Sequence, residues 1–313
     1  MTCVVTGATG LIGRAVIAEL LSRGESVLAL SRSAAEYYRQ RPHSRLRACK
    51  FDLALDSPDK LDGYLESADR AVRLVMLSSL ISMSTAPQDL APVLAVDAYG
   101  HLGLLEWLGR RLSYVVYASS CTVYGQPTVT PVPETAPLSP QNVYALTKVA
   151  AERALGALAE QVGVPFGILR IAQVYGPGAP LIGAMYGFLK AAAGGEVPRV
   201  TCDPDAFRDY CHVDDVTSAI SLALQRNAAG VYNVGSGAAT TIVELARACL
   251  RVAGRGAEPD LAGGGAAGNM LLDIAKAGRE LGYAPRVLLA EGLRREYQRL
   301  FAGGALSTEA RLS

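Results

Sequence analysis

Three glycines near the start of the chain limit its fold more than any other feature. Gly7, Gly10 and Gly13 stand at the spacing G-x-x-G-x-x-G in Thr6-Gly7-Ala8-Thr9-Gly10-Leu11-Ile12-Gly13. The apolar run at 3–6 before them reads as a strand, and the apolar spacing over 12–23 as a helix. In that setting Gly7 permits a tight turn, Gly10 lets the backbone come close to a pyrophosphate, and Gly13 lets helix and strand pack closely. The helix N-terminus adds free N–H groups and a partial positive charge. Thr9, Leu11 and Ile12 complete this candidate cofactor-binding turn.

The same rhythm continues down the chain. Strands are expected at 26–30, 74–77, 114–118 and 165–171, with long helices at 94–112 and 143–162. Alternation of this kind predicts an α/β fold with a doubly wound parallel sheet of the Rossmann type. After Tyr175 the breakers Gly176-Pro177-Gly178-Ala179-Pro180 interrupt it. Residues 1–175 are therefore expected to form the dinucleotide-binding domain, with a return segment at about 211–234 that supplies a helix at 213–225 and a strand at 230–234. Residues 176–210 and 235–313 are expected to form a smaller, discontinuous substrate-binding lobe. A Gly- and Ala-rich stretch at 253–269 reads as a surface loop, and the residues from about 303 as a frayed tail.

Charge and cysteine content exclude several classes. Thirty Lys and Arg against 29 Asp and Glu leave a net charge of +1, without the basic excess that nucleic acid or a membrane surface requires. No apolar run reaches the roughly 18 residues of a membrane span. No basic stretch precedes an apolar run in the first residues, so no signal peptide is expected. None of the six cysteines forms a C-x-x-C pair. A disulfide framework or a metal site is not expected, and the cytoplasm is the expected compartment.

The second strand runs into Ser31-Arg32-Ser33, where an NAD site commonly has an acidic residue for the ribose hydroxyls. Two hydroxyls and a guanidinium suit a 2′-phosphate instead. NADP(H) is the preferred cofactor on this reading, NAD(H) remains possible, and a merely solvated Arg32 is the plain alternative. Asp52, followed by Leu53, is a candidate partner for the adenine amino group or an ordinary loop aspartate.

Tyr144 and Lys148 form a Y-x-x-x-K on the helix at 143–162, which sets both side chains on one face. An ammonium nearby favours the phenolate and is expected to draw the tyrosine pKa down; the same lysine can hold a nicotinamide ribose. Ser119-Ser120-Cys121-Thr122-Val123-Tyr124-Gly125 follows the strand at 114–118, at the edge of a parallel sheet where ligands bind.

Glycine turn, serine-bearing strand end and Y-x-x-x-K, in this order, resemble the extended short-chain dehydrogenase/reductase family, in its nucleotide-sugar epimerase, dehydratase and ketoreductase group. The resemblance extends over roughly residues 2–285. It includes Leu169-Arg170-Ile171-Ala172-Gln173-Val174-Tyr175-Gly176-Pro177, Arg208-Asp209-Tyr210-Cys211-His212-Val213-Asp214-Asp215-Val216 and Tyr232-Asn233-Val234-Gly235-Ser236-Gly237. It implies that Tyr144 is the acid/base, Lys148 its modulator and ribose anchor, and Ser120 the hydrogen-bond partner of the reacting oxygen. It sets Leu77, Ser78, Ser79, Ile171 and Val174 beside the cofactor. Ser120, Thr122, Tyr144, Gln173 and Arg208 fall on the substrate side, Arg208 toward its phosphates. The plain alternative for Arg208 is a structural ion pair with Asp209 or Asp214. His212 reads as a buried structural residue and Cys121 as packing.

Departures from the family narrow the activity. Family 4,6-dehydratases carry Asp and Glu after the catalytic hydroxyl residue, where this chain has Cys121 and Thr122. The 3,5-epimerising members use a Cys and a His where Thr122 and Gly178 stand. Asp97 replaces a family Asn. The expected activity is NADPH-dependent reduction of a keto group, at C4, of a nucleotide-activated deoxysugar such as a dTDP-4-keto-6-deoxyhexose. An NAD-dependent 4-epimerase is the alternative. A ketoreductase for a non-sugar substrate and a non-catalytic dinucleotide sensor are weaker readings. The helices holding Trp107 and Tyr144 match those that pair family members, so a homodimer is expected.

Overall fold

The computed structural model describes residues 1–65, 71–265 and 268–301. Its strands are β1 (Thr2–Thr6), β2 (Ser26–Ser31), β3 (Leu46–Lys50), β4 (Val72–Met76), β5 (Leu112–Ser120), β6 (Phe166–Ile171), β7 (Gln173–Tyr175), β8 (Arg199–Cys202), β9 (Phe207–His212), β10 (Gly230–Val234), β11 (Ala239–Thr241) and β12 (Asp260–Gly265). Its helices are α1 (Leu11–Ser22), α2 (Ala34–Arg39), α3 (Leu90–Leu94), α4 (Gly100–Leu108), α5 (Val143–Val162), α6 (Gly183–Gly194), α7 (Val213–Arg226), α8 (Ile242–Val252), α9 (Ala275–Leu281) and α10 (Leu289–Phe301).

The expected doubly wound sheet is present. Seven parallel strands run in the order β10-β6-β5-β4-β1-β2-β3. Helices cover both faces, so central strands such as β4 (Val-Arg-Leu-Val-Met) are buried along their whole length. On one face α1 and α7 contribute Val16, Ile17, Ile220 and Leu224; on the other α4 and α5 contribute Leu104, Leu105, Leu155 and Ala159. The order reverses between β1 and β4. Their connections leave in opposite directions there, which opens a crevice at the carboxyl ends of the strands.

Beyond β6 the chain builds two smaller sheets, β11-β9-β7 and β12-β8. A third apolar cluster lies under them, with Phe188 and Leu189 of α6, Leu245 and Cys249 of α8, and Leu293 and Leu300 of α10.

The elements differ from the sequence expectation in three places. The helix expected over 94–112 starts at Leu90, passes through a π-turn at Ala95–Tyr99 and ends at Leu108. Gly109, at φ 46°, takes the backbone out of the helix, and Leu112 already belongs to β5. The stretch expected as a loop at 253–269 contains β12, which pairs with β8 and is tied to it further by the Asp260–Arg199 ion pair at 3.5 Å; its composition of Gly and Ala hides the strand. The short strands β3, β7 and β9 also escape apolar patterning, since Arg47, Lys50, Gln173, Arg208 and Asp209 interrupt them. The tail expected from about 303 lies outside the described residues.

One buried ion pair ties the sheet to α5. Glu152 of α5 and Arg170 of β6 meet at 2.7 and 3.1 Å, and the Ser119 hydroxyl donates to the same carboxylate. Arg170 also donates to the Tyr124 hydroxyl and the Glu134 carbonyl, each at 3.1 Å. Removing one partner strands a charge in the interior. Glu152→Ala is expected to lower stability by about 3–5 kcal/mol, and a paired Glu152→Leu, Arg170→Met variant to regain much of it. Chemical denaturation checks this; a single-variant loss under about 1 kcal/mol contradicts it.

Candidate active site

The glycine turn is built as tightly as its sequence implies. Gly7 has φ 64°, and a Cβ there would sit 2.9 Å from the Leu77 carbonyl carbon and the Ser78 nitrogen. A Cβ on Gly13 would overlap the Gly7 carbonyl oxygen. Gly10 is the N-cap of α1 and supplies no side chain to satisfy its first N–H groups. That amino end, with its partial positive charge, borders a cavity of about 750 Å³. Gly7, Gly10, Leu11, Ile12 and Gly13 form one wall. Ser120, Thr122, Tyr144, Lys148, Gln173 and Arg208 line it further along, with Leu77, Ser79, Ile171 and Val174 between. A side-chain-free cradle opening into a long cavity fits a dinucleotide, its phosphates against the glycine turn.

Thr9, Ser31, Arg32, Ser33, Asp52, Leu53 and Ser78 do not line that cavity. The Thr9 hydroxyl lies 3.0 Å from those of Ser31 and Ser33, so the glycine turn and the end of β2 are joined by three hydroxyls. Arg32 beside them is exposed. Asp52 is turned back on its own loop, accepting from the Ala54 N–H at 3.0 Å. Leu53 is packed under α4, where only a glycine fits: a Cβ on Gly100 would overlap the Leu53 carbonyl oxygen. The Ser78 N–H donates to Thr6 Oγ1 at 3.2 Å.

Tyr144 and Lys148 lie in the first two turns of α5. Asn142 caps that helix by accepting from the Ala145 N–H at 2.8 Å. The orphan N–H groups of Val143 and Tyr144 donate to the carbonyls of Ser84 and Ser82, which ties the loop after β4 to the helix. Lys148 Nζ donates to the Ala118 carbonyl at 2.9 Å, lies 3.9 Å from Asp97 Oδ2, and sits 4.6 Å from the Tyr117 ring and 5.6 Å from the Tyr144 ring. Ser120 Oγ accepts from the Thr122 N–H at 3.2 Å and its hydroxyl at 3.0 Å. The Ser120 hydrogen is thereby left for an acceptor in the cavity.

The electrostatics correct one expectation. The Tyr144 phenol is pushed up, not down. Burial is the main cause and the Asp97 carboxylate the next, while the hydroxyls of Ser120 and Ser79 act in the other direction. Lys148 is itself pulled down by burial, with Asp97 and Glu152 opposing. Its ammonium is held by the Ala118 carbonyl and Asp97, so little of its field is left for the phenol. The Cys121 thiol is pushed up to about 12 by burial and is no nucleophile.

Arg208 donates to the Phe207 carbonyl at 3.0 Å, and among the described residues it has no ion pair. Asp209 accepts instead from the Ser236 N–H and hydroxyl at 2.7 and 2.6 Å, and Asp214 faces Arg295 at 3.5 Å. The ion-pair alternative for Arg208 is therefore not realised. His212 is buried, caps α7 through Nδ1 and stacks edgewise on Tyr175, in keeping with a structural role.

Several cavity residues escaped the sequence reading. Ile81 and Met83 follow β4, and Asn269 and Met270 follow the Gly-rich stretch; neither segment carries a periodic signal. Asp97 was visible only as a replaced residue. It is fully buried, and the Thr147 hydroxyl donates to its Oδ2 at 3.1 Å. His101, pulled down to about 3 by burial, is neutral there. Thr6 Oγ1 already accepts two backbone N–H groups, so its hydrogen goes to His101 Nε2 at 2.9 Å and Nδ1–H donates to the Asp97 carbonyl at 3.2 Å.

Residues 3–235 match the model of the NAD dependent epimerase/dehydratase family. The chain is 31% identical to the UDP-glucose 4-epimerase of Mycolicibacterium smegmatis, over 94% of this chain and 96% of that protein. It is 30% identical to the dTDP-6-deoxy-L-talose 4-dehydrogenase (NAD(P)(+)) of Kitasatospora kifunensis, over 93% and 92%. The crystal structure of Thermus thermophilus UDP-glucose 4-epimerase in complex with NAD superposes with a TM-score of 0.80 at 28% identity, covering 95% of this chain and 98% of that one.

The cradle makes a direct prediction. Gly13→Ala pushes α1 off the turn, and affinity for NAD(P)H is expected to fall at least roughly tenfold. Titration of cofactor fluorescence measures it; an unchanged affinity removes the glycine turn from the site.

Proposed function

Because this chain belongs to the NAD dependent epimerase/dehydratase family, we propose that it moves a hydride at C4 of a nucleoside-diphosphate sugar, with Tyr144 handling the proton. The observation that carries this reading is the grouping of Tyr144, Lys148 and Ser120 on one cavity whose far wall is the glycine cradle. Bound NAD(P) supplies or takes up the hydride. Ser120 donates a hydrogen bond to the reacting oxygen. Tyr144 gives that oxygen a proton when a ketone is reduced and removes it when a carbinol is oxidised. Lys148, with its Nζ 5.6 Å from the Tyr144 ring, offers an N–H to a ribose hydroxyl. Arg208, without a carboxylate partner among the described residues, meets the diphosphate.

Between two outcomes of this chemistry, net reduction of a 4-keto-6-deoxy sugar by NADPH is the reading we favour. Its support is the adenosine end: three hydroxyls and the exposed Arg32, with no acidic residue directly after β2. The second reading is a 4-epimerase that recycles NAD, supported by the likeness to the Mycolicibacterium enzyme. Both relatives described above carry a position-4 activity in their names. Elimination of water is not supported, since the residues after Ser120 are a neutral thiol and a threonine. A homodimer through α4 and α5 accompanies this reading; Leu146 of α5 and Tyr99, just before α4, are exposed.

The test is direct. Consumption of NADPH with dTDP-4-keto-6-deoxyglucose selects the reductase; interconversion of UDP-glucose and UDP-galactose with tightly held NAD selects the epimerase. Activity with neither sinks the proposal. Tyr144→Phe is expected to lower kcat by about 10²–10⁴-fold. Arg32→Ala is expected to raise the KM for NADPH about tenfold while leaving that for NADH nearly unchanged. Arg208→Ala with unchanged substrate affinity would speak for a substrate without a diphosphate.

A further inference from the structure

Burial poses a problem for a phenol that must act as a base. The hydroxyls of Ser120 and Ser79 favour loss of the Tyr144 proton, but burial and the Asp97 carboxylate outweigh them. The surroundings contain a way around this. Asp97 Oδ2 is engaged by Thr147 at 3.1 Å and faces Lys148 at 3.9 Å. Its other oxygen, Oδ1, is buried and has no hydrogen-bond partner among the described residues. The Ser79 hydroxyl oxygen is in the same condition, and Ser79 lines the cavity with Tyr144. A buried carboxylate oxygen and a buried hydroxyl, both left without partners, are costly unless they serve each other or a transferred proton.

We propose that Ser79 and Asp97 form a proton relay behind Tyr144, in which the proton taken from substrate is held on Asp97 Oδ1. This rests on the reading of Tyr144 as the acid/base of the hydride transfer. In oxidation, the carbinol O–H proton passes to the Tyr144 oxygen. The phenol hydrogen passes to Ser79 Oγ, and the Ser79 hydrogen to Asp97 Oδ1. The carbinol carbon loses its hydride to the bound nicotinamide, so the two electrons leave with it. In reduction each transfer reverses. The phenol is never required to persist as a free phenolate. Ser79 stands near enough to favour the anions of both Tyr144 and Asp97, though neither meets hydrogen-bond geometry with it at rest. The carboxyl is suited to hold a proton, since burial raises its affinity, with Lys148 the chief opposing group.

The groups facing Asp97 are known from each element around it. Thr147, Lys148 and Tyr144 come from α5, Tyr117 from β5, Ser79 and the Leu80 backbone N–H from the loop after β4, and neutral His101 from α4. Of these, Lys148 opposes protonation of Asp97 most strongly. Ser79 and Asp97 act through Tyr144 and are positioning residues.

Two measurements test the relay. The first needs no substrate: an infrared titration of the ligand-free protein, with Asp97→Asn to identify the Asp97 band. The expected midpoint lies above the ordinary carboxylate value of about 4. It rises further in Ser79→Ala, because a group favouring the anion is lost. A midpoint at or below the ordinary value overturns the proposal. The second is kinetic, with whichever of dTDP-4-keto-6-deoxyglucose or UDP-galactose turns over. Ser79→Ala and Asp97→Asn are each expected to lower kcat about tenfold, with KM within about twofold. The double variant is no worse than either single one, and Ser79→Thr recovers the rate. If Asp97 is merely the counter-charge of Lys148, Ser79→Ala stays within about twofold of the parent and Asp97→Asn moves the acid limb of the pH profile downward; that result also overturns it. Failure of the functional reading itself shows differently, as a Tyr144→Phe variant that retains full turnover.

Discussion

An ammonium taken out of water has to be met by oxygen atoms, and the active region is arranged around how Lys148 meets this demand. Its partners are the Ala118 carbonyl at the end of β5 and the Asp97 carboxylate in the π-turn. The π-turn widens the helix by one residue where Asp97 must reach α5. Asp97 is in turn joined through its carbonyl to His101, and His101 to Thr6, whose hydroxyl also gathers the N–H groups after β4. One chain of hydrogen bonds therefore runs from the strand ends at the switch point to the inward face of α5. The lysine and the glycine cradle are both fixed to the same carboxyl edge.

A second polar chain lies one helical turn away. Lys148 and Glu152 are four residues apart on α5 and share its inward face. Ser119 and Ser120 are adjacent on β5 and point to opposite sides of the strand, one to Glu152 and the other into the cavity. Glu152 continues to Arg170, Tyr124 and Asn233, whose amide donates to the carbonyls of Val132 and Asp273. This network spans β5, β6, β10 and the connection that carries the Tyr124 turn. It locks the backbone on which Ser120 and Thr122 ride, so their cavity-lining hydroxyls inherit the rigidity of the sheet.

The cavity's remaining walls come from segments with no regular structure. Ile81 and Met83 precede α5 and are held by its first two N–H groups. Asn269 and Met270 arrive from the far lobe, with the Asn269 side chain accepting from the Phe207 N–H at 3.0 Å. One side of the cavity is thus built on the regular elements of the sheet and the other on loops.

Much of this was legible in the chain itself. The glycine spacing after an apolar run, the period-2 and period-3.6 segments and the Y-x-x-x-K are local signals. They declare the parallel sheet, the cradle and the paired side chains because backbone geometry and helical periodicity act over a few residues. Three things depended on the tertiary structure. Gly- and Ala-rich 260–265 became a strand because β8 offered it backbone partners, which composition does not record. The direction of the Tyr144 shift was decided by burial, which outweighs a lysine whose charge is already held by Asp97 and Ala118. Asp97, Ser79 and Tyr144 are far apart in sequence. They meet because the crossover after β4 and the start of α5 return to one sheet edge, and long-range packing, not local propensity, brings them there.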